Sequence, residues 1–403
     1  MTDWDHTTDL VVVGSGAGGM TAALMAHDLG LRALILEKSA LYGGSSAMSG
    51  GVLWVPNNPL MQSAGLRDST ESALAYLRFE TAGRVADNRL CAYIDAAPRM
   101  VDHLIRRSQL QLALLADYPD YHPNAPGGRV GGRSLEPRPL NGARLGEHLA
   151  GLRPPHPSEL ALGRIALSVT EARMVASGSP RGVALLACLF GVDALDARAR
   201  RLGRPTRLTL GNALVGRLRL SLLDRQIPLW LRTPVRELIV EERRVVGVVA
   251  ARVGRRMRIG AERGVVLAAG GFERNAGLRR RYQGPSVDAA WSAGSPENVG
   301  DGVELGTAVG GTLEMMDQAW WTPTAQVPGS VVGWPLVIEK ALPGSIIVDR
   351  RGQRFTNEAA PYSDVVRAMF ETGGSPMYLV FDARFRSQYP CGPVMPGRSR
   401  WRR

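Results

Sequence analysis

Lysine is almost missing from this 403-residue chain. Of its 49 lysines and arginines only Lys38 and Lys340 are lysine, so arginine carries the net charge of +12. Cysteine is scarce too: Cys91, Cys188 and Cys391 stand far apart with no CxxC pair, which excludes a disulfide framework and a zinc site and leaves ordinary thiols of a reducing compartment. The six histidines lack metal spacing. There is no HExxH, and His122, His148 and His156 sit in Pro/Gly-rich or helical surroundings, so no metal is expected. No apolar run approaches the roughly 18–20 residues of a membrane span. The longest, VALLACLFGV at 183–192, is expected to be a buried helix. The N-terminal MTDWDHTTD is acidic and polar, unlike a secretory signal, and the expected location is cytoplasmic.

Aromatics make up only 6% of the residues, and the basic runs RARRLGRPTR (198–207), LRRRY (278–282) and RSRWRR at the end are scattered. Nucleic-acid binding would need cations interleaved with stacking aromatics on one element, so these runs read as solvated faces. The positive charge leaves open attraction to acidic partners and peripheral association with an anionic membrane surface.

What is present is enough apolar residue, 45% of the chain, for two domains. The strongest local signal is DLVVVGSGAGGMTAALMAHDLGLRALILEK at 9–38. The apolar run Leu10–Val13 enters Gly14-Ser15-Gly16-Ala17-Gly18-Gly19, a helix-forming stretch follows, and a second apolar run, Arg32–Leu36, ends at Glu37. Gly14 permits the tight turn, Gly16 lets backbone amides approach a pyrophosphate, and Gly19 lets the helix pack on the sheet. The helix N-terminus offers N–H groups and positive dipole to the anion. Glu37 stands about 20 residues on, where a carboxylate accepts ribose hydroxyls. A GxGxxG alone is weak; one set in strand–turn–helix–strand–acid order predicts dinucleotide binding.

After Glu37-Lys38 comes SALYGGSSAMSGGVLWVPNN, a polar segment carrying Gly43, Gly44, Ser45, Ser46, Ser49, Gly50 and Gly51. NAD domains normally continue from the ribose acid into a helix. A second glycine-rich loop supplies further backbone donors and favours FAD. LIVEERRVVGVVAARV at 238–253 reads as a hairpin, and RGVVLAAGG as a buried strand returning Ala269, Gly270 and Gly271 to the cofactor. The backbone near Val235 is placed at the adenine.

Together these segments resemble the fumarate reductase/succinate dehydrogenase flavoprotein superfamily. NVGDGVELGTAVGG (298–311) is similar to its TGDG segment, with Val299 in place of the usual Thr, which implies Asp301 near the flavin. Within the superfamily the chain looks most like 3-ketosteroid Δ1-dehydrogenases. The matches are SGGVLWVPNN, DYPDYHPNAPGGRVGGRSLEP (117–137), DQAWWTP (317–323) and IVDRRGQRFTNEAAPYSDVVRAM (347–369), in order from residue 4 to about 397. Dicarboxylate-handling relatives carry an Arg–Asp pair after the Asn-Glu; here Pro361-Tyr362 stands there, as suits an uncharged substrate.

The resemblance implies removal of hydrogen from C1 and C2 of a 3-ketosteroid, as a proton α to the ketone and a hydride to flavin N5, with an unidentified electron acceptor. It implies Tyr362 as base and Tyr121 as its assistant. Read from the residues alone, Tyr362 equally packs or caps a helix starting near Ser363. Tyr118, Tyr121 and His122 equally cover a core edge, and Trp320-Trp321 reads as core or as apolar cover over a flat ring system. A sister activity such as Δ4-(5α) desaturation and a non-catalytic FAD-binding fragment are the alternatives.

The expected architecture is α/β: a Rossmann-like FAD-binding domain over 1–277 with a largely helical insertion at about 59–229, and an α+β substrate domain from 278 to 403 with strands near 345–349 and 377–381. That second domain reads as incomplete. Members of the family continue past this point with a segment carrying another tyrosine and a glycine for the 3-keto oxygen, whereas here SRWRR follows FDARFRSQYPCGPVMPGR.

Overall fold

A computed structural model describes residues 3–196, 201, 203–394 and 396–397. Of the run 198–207, positions 198–200 and 202 lie outside the described residues, as does the terminal RSRWRR. The chain divides into two compact units, one running to Pro155 and resuming over Glu159–Ala268, the other taking His156–Ser158 and everything from Ala269 onward. The break expected after residue 277 thus falls after Ala268. The reason is local: the last strand of the main sheet ends at Leu267, and Gly271 then bonds through its carbonyl to the N–H of Gly300.

The first unit is built on a six-stranded sheet of β1 (His6–Val13), β2 (Ala33–Leu36), β3 (Leu229–Trp230), β4 (Val235–Glu241), β5 (Arg244–Arg252) and β6 (Arg255–Leu267). Their spatial order is β3-β2-β1-β6-β5-β4. The first four lie parallel, and β6, β5 and β4 follow as an antiparallel meander. All four residues of β2 are buried, as parallel strands covered on both faces require. Helix α1 (Ala17–Asp28) joins β1 to β2 and sets Met20, Ala23 and Leu24 into the core. The short α2 (Gly44–Met48) follows. In the inserted region α3 (Asp87–Arg107) buries Leu90, Ile94, Ala97, Val101 and Leu104, a stripe at helical spacing. Helix α4 (Leu210–Asp224) is buried continuously from Gly211 to Leu222.

Two expectations are corrected here. The stretch RGVVLAAGG is a strand, but a half-exposed one. β5 pairs only with Arg255–Gly260, so beyond that point β6 has β1 on one side alone, and Leu267 is 37% exposed. The run at 183–192 is helical, within Pro180–Leu195, yet it is not buried: Val183, Val192 and Leu195 are 62%, 58% and 82% exposed. The one fully buried residue of this helix is Gly182, where a Cβ would stand 2.2 Å from the Met174 carbonyl oxygen, while Leu185, Leu186, Leu189 and Phe190 are half-buried. No helix among the described residues is long and apolar enough to cross a membrane.

The second unit carries α5 (Asp301–Ala308), the antiparallel pair β7 (Ser345–Val348) and β8 (Tyr378–Phe381), and α6 (Tyr362–Glu371). Helix α6 buries Val365 and Val366.

Candidate functional site

In the first unit, β1 delivers the chain into the glycine turn. Gly14 has φ 103° and donates its N–H to the Leu36 carbonyl at 2.8 Å. A Cβ on Gly19 would stand 2.2 Å from the Gly14 carbonyl oxygen, so helix and turn approach this closely only with glycine there. Glu37 is buried, and its carboxylate accepts N–H bonds from Ser15 (3.1 Å) and Ser39 (2.8 Å) and the hydroxyl of Ser15. The Ser15 hydroxyl oxygen in turn accepts the N–H of Gly43 at 3.1 Å, and Ser46 Oγ accepts that of Ala17 at 3.1 Å. These two bonds tie the second glycine-rich loop to the first. The Ser15 hydroxyl and its backbone N–H are thereby both spent within the protein, and neither is left as a donor to a ligand.

The rest of that loop is locally determined. Ser49 Oγ donates to the Ser46 carbonyl and accepts from Gly51 N–H, and a Cβ on Gly51 would lie 2.6 Å from Gly211 N. Gly44 and Gly50 have no heavy atom within 4 Å of a Cβ position, and neither has Gly18, which is exposed. At Gly44 a φ of 50° already favours glycine, but at Gly18 and Gly50 neither packing nor a left-handed backbone demands it. Backbone that a flat or phosphorylated ligand must approach closely does, so the cradle fits FAD. Ser45 and Lys38 are half-buried beside it. Val235 opens β4, two residues past Thr233, whose N–H bonds the Glu37 carbonyl at 2.8 Å.

In the second unit Ala269, Gly270 and Gly271 meet the turn before α5. Gly270 has φ 79°, and a Cβ there would lie 2.7 Å from Asn298 Oδ1. Gly300, in the left-handed region, caps α5, whose first residue is Asp301. Asn298 was not among the expected residues. Its amide nitrogen donates to Glu273 Oε1 at 2.8 Å, so one side chain ties the glycine strand end to the Asp301 turn. Only its position two residues before Gly300 hinted at that role.

The two expected tyrosines fall in different units. Tyr121 belongs to the first and is 46% exposed. Its neighbour Asp120 is clamped: Oδ1 accepts Trp54 Nε1–H at 2.7 Å, and Oδ2 accepts Arg133 (2.9 Å) and the Arg129 N–H (3.0 Å). Arg133 is fully buried, forks onto both oxygens of Asp68 at 2.8 Å, and lies 5.4 Å and 5.7 Å from the ring centres of Trp54 and Tyr76. Burial alone would raise the Asp68 carboxyl, but the paired guanidinium holds it below the usual range; for Asp120 burial prevails and its carboxyl is pushed up. Tyr118 lies under Arg173, and burial raises its phenol. His122 pairs with Glu80 at 2.6 Å. Nothing in GGRSLEP distinguishes a buried arginine from a solvated one, so the sequence carries no sign of the role of Arg133.

Tyr362 is the first residue of α6, one position before the expected start. The N–H groups of Asp364 and Val365 return to the Pro361 carbonyl at 3.0 and 3.1 Å. Trp320, 66% exposed, stands edge-on to the Tyr362 ring at 4.9 Å, while Trp321 packs on Phe370 at 5.1 Å. The tryptophans therefore divide: Trp320 is beside the candidate base and Trp321 braces the far part of α6. The preceding Asn357 caps its own turn by accepting the Ala359 N–H. Glu358 is buried, accepts the Ile347 N–H at 2.8 Å and pairs with Arg354. Its carboxyl sits at about 2: burial pushes it up, and Arg354 and the Ile347 N–H more than offset that.

This fold and cradle define an FAD-binding flavoprotein: the chain matches the FAD binding domain family over residues 9–389. It is 38% identical to a 3-oxosteroid 1-dehydrogenase of Mycobacterium tuberculosis over 98% of its own length and 72% of that protein's, and so belongs to the 3-oxosteroid 1-dehydrogenase family. Among solved structures it is 43% identical, with a TM-score of 0.93, to the 3-ketosteroid Δ1-dehydrogenase of Sterolibacterium denitrificans in complex with 1,4-androstadiene-3,17-dione, covering 99% of this chain and 72% of that one. A 3-ketosteroid Δ4-(5α)-dehydrogenase of Rhodococcus jostii shares the fold at 19% identity and a TM-score of 0.63, covering 96% of this chain and 68% of that one.

Proposed function

We propose that the chain is an FAD-dependent dehydrogenase that introduces a C1–C2 double bond into 3-ketosteroids. The observation that carries this reading is the 43% identity with a structure holding a steroid dienone; Δ4-(5α) desaturation is disfavoured by the 19% identity to its representative. Bound FAD supplies the hydride acceptor. Tyr362, as phenolate, takes the C2 proton, and the C–H electron pair moves into the enolate of the 3-ketone. The C1 hydrogen then leaves with its electron pair and C1=C2 closes. A phenol has a reference pKa of about 10, so its ionised form needs support near neutrality, a role that the family resemblance assigns to Tyr121. Pro361-Tyr362 puts no cation where dicarboxylate-handling relatives keep one, and the nearby Arg354 and Arg367 are paired with Glu358 and Asp364. A neutral ketone suits that balance.

The test is reduction of a dye acceptor with 5α-androstane-3,17-dione, whose product analysis separates a Δ1 from a Δ4 double bond, and with androstenedione, which already holds the C4=C5 bond and yields only a Δ1 product. Y362F is expected to lower turnover by about 10³-fold or more while flavin absorbance is kept. Retained turnover would remove Tyr362 as the base. A yellow protein without turnover would favour the non-catalytic reading.

The partner reading extends to a lipid surface on the cytoplasmic side. The helix Pro180–Leu195 has no charged residue between Arg181 and Asp193 and exposes apolar side chains, and the hairpin tied to it by the Arg164–Asp193 pair exposes Leu162 by 51%. An apolar helix face on a protein of net charge +12 fits an anionic bilayer, where an apolar substrate also partitions. Flotation with phosphatidylglycerol vesicles should occur, and V183D/V192D should abolish it. Equal flotation of parent and variant would overturn this assignment.

A further inference from the structure

We infer that Lys340 is a positioning residue for Tyr362, acting through the main chain of the turn that precedes it; the inference rests on the reading of Tyr362 as the base. Lys340 is 2% exposed, and its ammonium donates to two carbonyl oxygens, those of Glu358 and Ala360, each at 2.7 Å. Both belong to the segment that turns into α6. A buried carbonyl needs a partner. The segment supplies few donors of its own: Pro361 has none, and the N–H groups of Ala359 and Ala360 are already spent on Asn357. Lysine fills the deficit from outside the turn.

Fixing the Ala360 carbonyl fixes the plane of the 360–361 peptide. The proline ring then limits φ of Pro361, observed at −47°, and the two N–H bonds from Asp364 and Val365 to the Pro361 carbonyl fix the start of α6. Each torsion between the Ala360 carbonyl and the Cα of Tyr362 is thus restrained, so the Cα–Cβ bond of Tyr362 leaves the backbone in one direction, and Trp320 stands against its ring at 4.9 Å. Composition points the same way. Arginine is the cation at 47 of 49 positions, and α4 shows how it serves carbonyls here, with Arg217 spreading over those of Gln109, Arg138 and Pro139. Lysine at 340 is one of the two exceptions, placed where two carbonyls two residues apart converge on one point, which a compact head satisfies and a planar fork does not. Burial lowers the ammonium's pKa, and the Glu358 and Asp364 carboxylates counter that.

The test compares K340A, K340R and Y362F with the parent chain. Loss of the anchor lets Tyr362 shift, and a displacement on the order of 1 Å costs about 100-fold in rate. K340A should therefore lose about 10- to 100-fold in kcat with KM within about three-fold and flavin absorbance retained, and added ethylammonium should restore at least part of the kcat. A purely structural lysine would lower the amount of folded protein and leave kcat per flavin unchanged. If K340A does not fold, K340R carries the test, and its bulkier head should also lower kcat with KM kept. Parental kcat per flavin in the folded variant, while Y362F is inactive, would overturn the inference. An active Y362F would instead overturn the reading of the base. Independently of turnover, hydrogen exchange at Asp364 and Val365 should accelerate in K340A; unchanged protection there would overturn the anchoring itself.

Discussion

Tyr121 and Tyr362 both sit on proline-bearing segments, and a buried cation fixes each segment, yet the two cations hold different things. Arg133 grips chiefly side chains, the carboxylates of Asp68 and Asp120 and the Ser72 hydroxyl, with a single bond to main chain at the Gly127 carbonyl and with Trp54 and Tyr76 against its faces. Lys340 grips main chain, the carbonyls of Glu358 and Ala360. The first arrangement joins segments about 65 residues apart, from Asp68 to Arg133, and the second closes one turn. A clamp of buried charges links its tyrosine to the stability of the surrounding fold. A clamp on carbonyls links its tyrosine to local geometry. Damage at the two places should therefore appear in different measurements.

The largest expected effect on stability is at the first clamp. Arg133→Met removes the cation and leaves Asp68 and Asp120 buried without it, a change that costs about 3–5 kcal/mol where one partner of a buried pair is removed. Denaturant unfolding should show a loss of unfolding free energy of that size, whereas K340A should change it far less and act on kcat instead. A shift below about 1 kcal/mol for Arg133→Met would mean that water or relaxation replaces the clamp, and the contrast between the regions would fail.

How far this contrast was legible beforehand depends on what each region is made of. The cradle could be read because its constraints are local in sequence: Gly14, Gly16 and Gly19 act within six residues, and Glu37 ends the very next strand. The hairpin and the β7 and β8 strands carried their own periodicity. The Arg133 clamp could not be read, because Asp68, Asp120 and Arg133 meet only after the inserted region folds, and an arginine among 47 carries no mark of burial. Lys340 did carry a mark, its rarity, but composition alone gave it no partner. The helix over 183–192 was misjudged for a related reason. An apolar run predicts cover of some kind, and the sequence does not say whether protein or another surface provides it.

Acid should separate the two regions more gently. Glu358 sits at about 2 in the folded chain, against roughly 4.3 for an unperturbed glutamate. A carboxyl whose pKa is depressed by folding contributes stability above its unfolded value and loses it as pH falls toward the folded one, so this contribution should fade between about pH 4 and pH 2. At the Tyr121 clamp the carboxyls are shifted in opposite directions, Asp68 down and Asp120 up. Lowering the pH relieves the cost of keeping Asp120 ionised while it removes the benefit from Asp68, and the two changes partly offset each other. The Tyr362 turn has no such offset beside Glu358. Hydrogen exchange of the Ile347 amide, which donates to Glu358, should therefore lose protection on acidification, once corrected for intrinsic rate, before the amide of Arg129, which donates to Asp120. In E358Q the Ile347 step should disappear and that of Arg129 remain. If both amides lost protection together in the parent chain, the turn and the clamp would form one cooperative unit, and the difference drawn between them would dissolve into global stability.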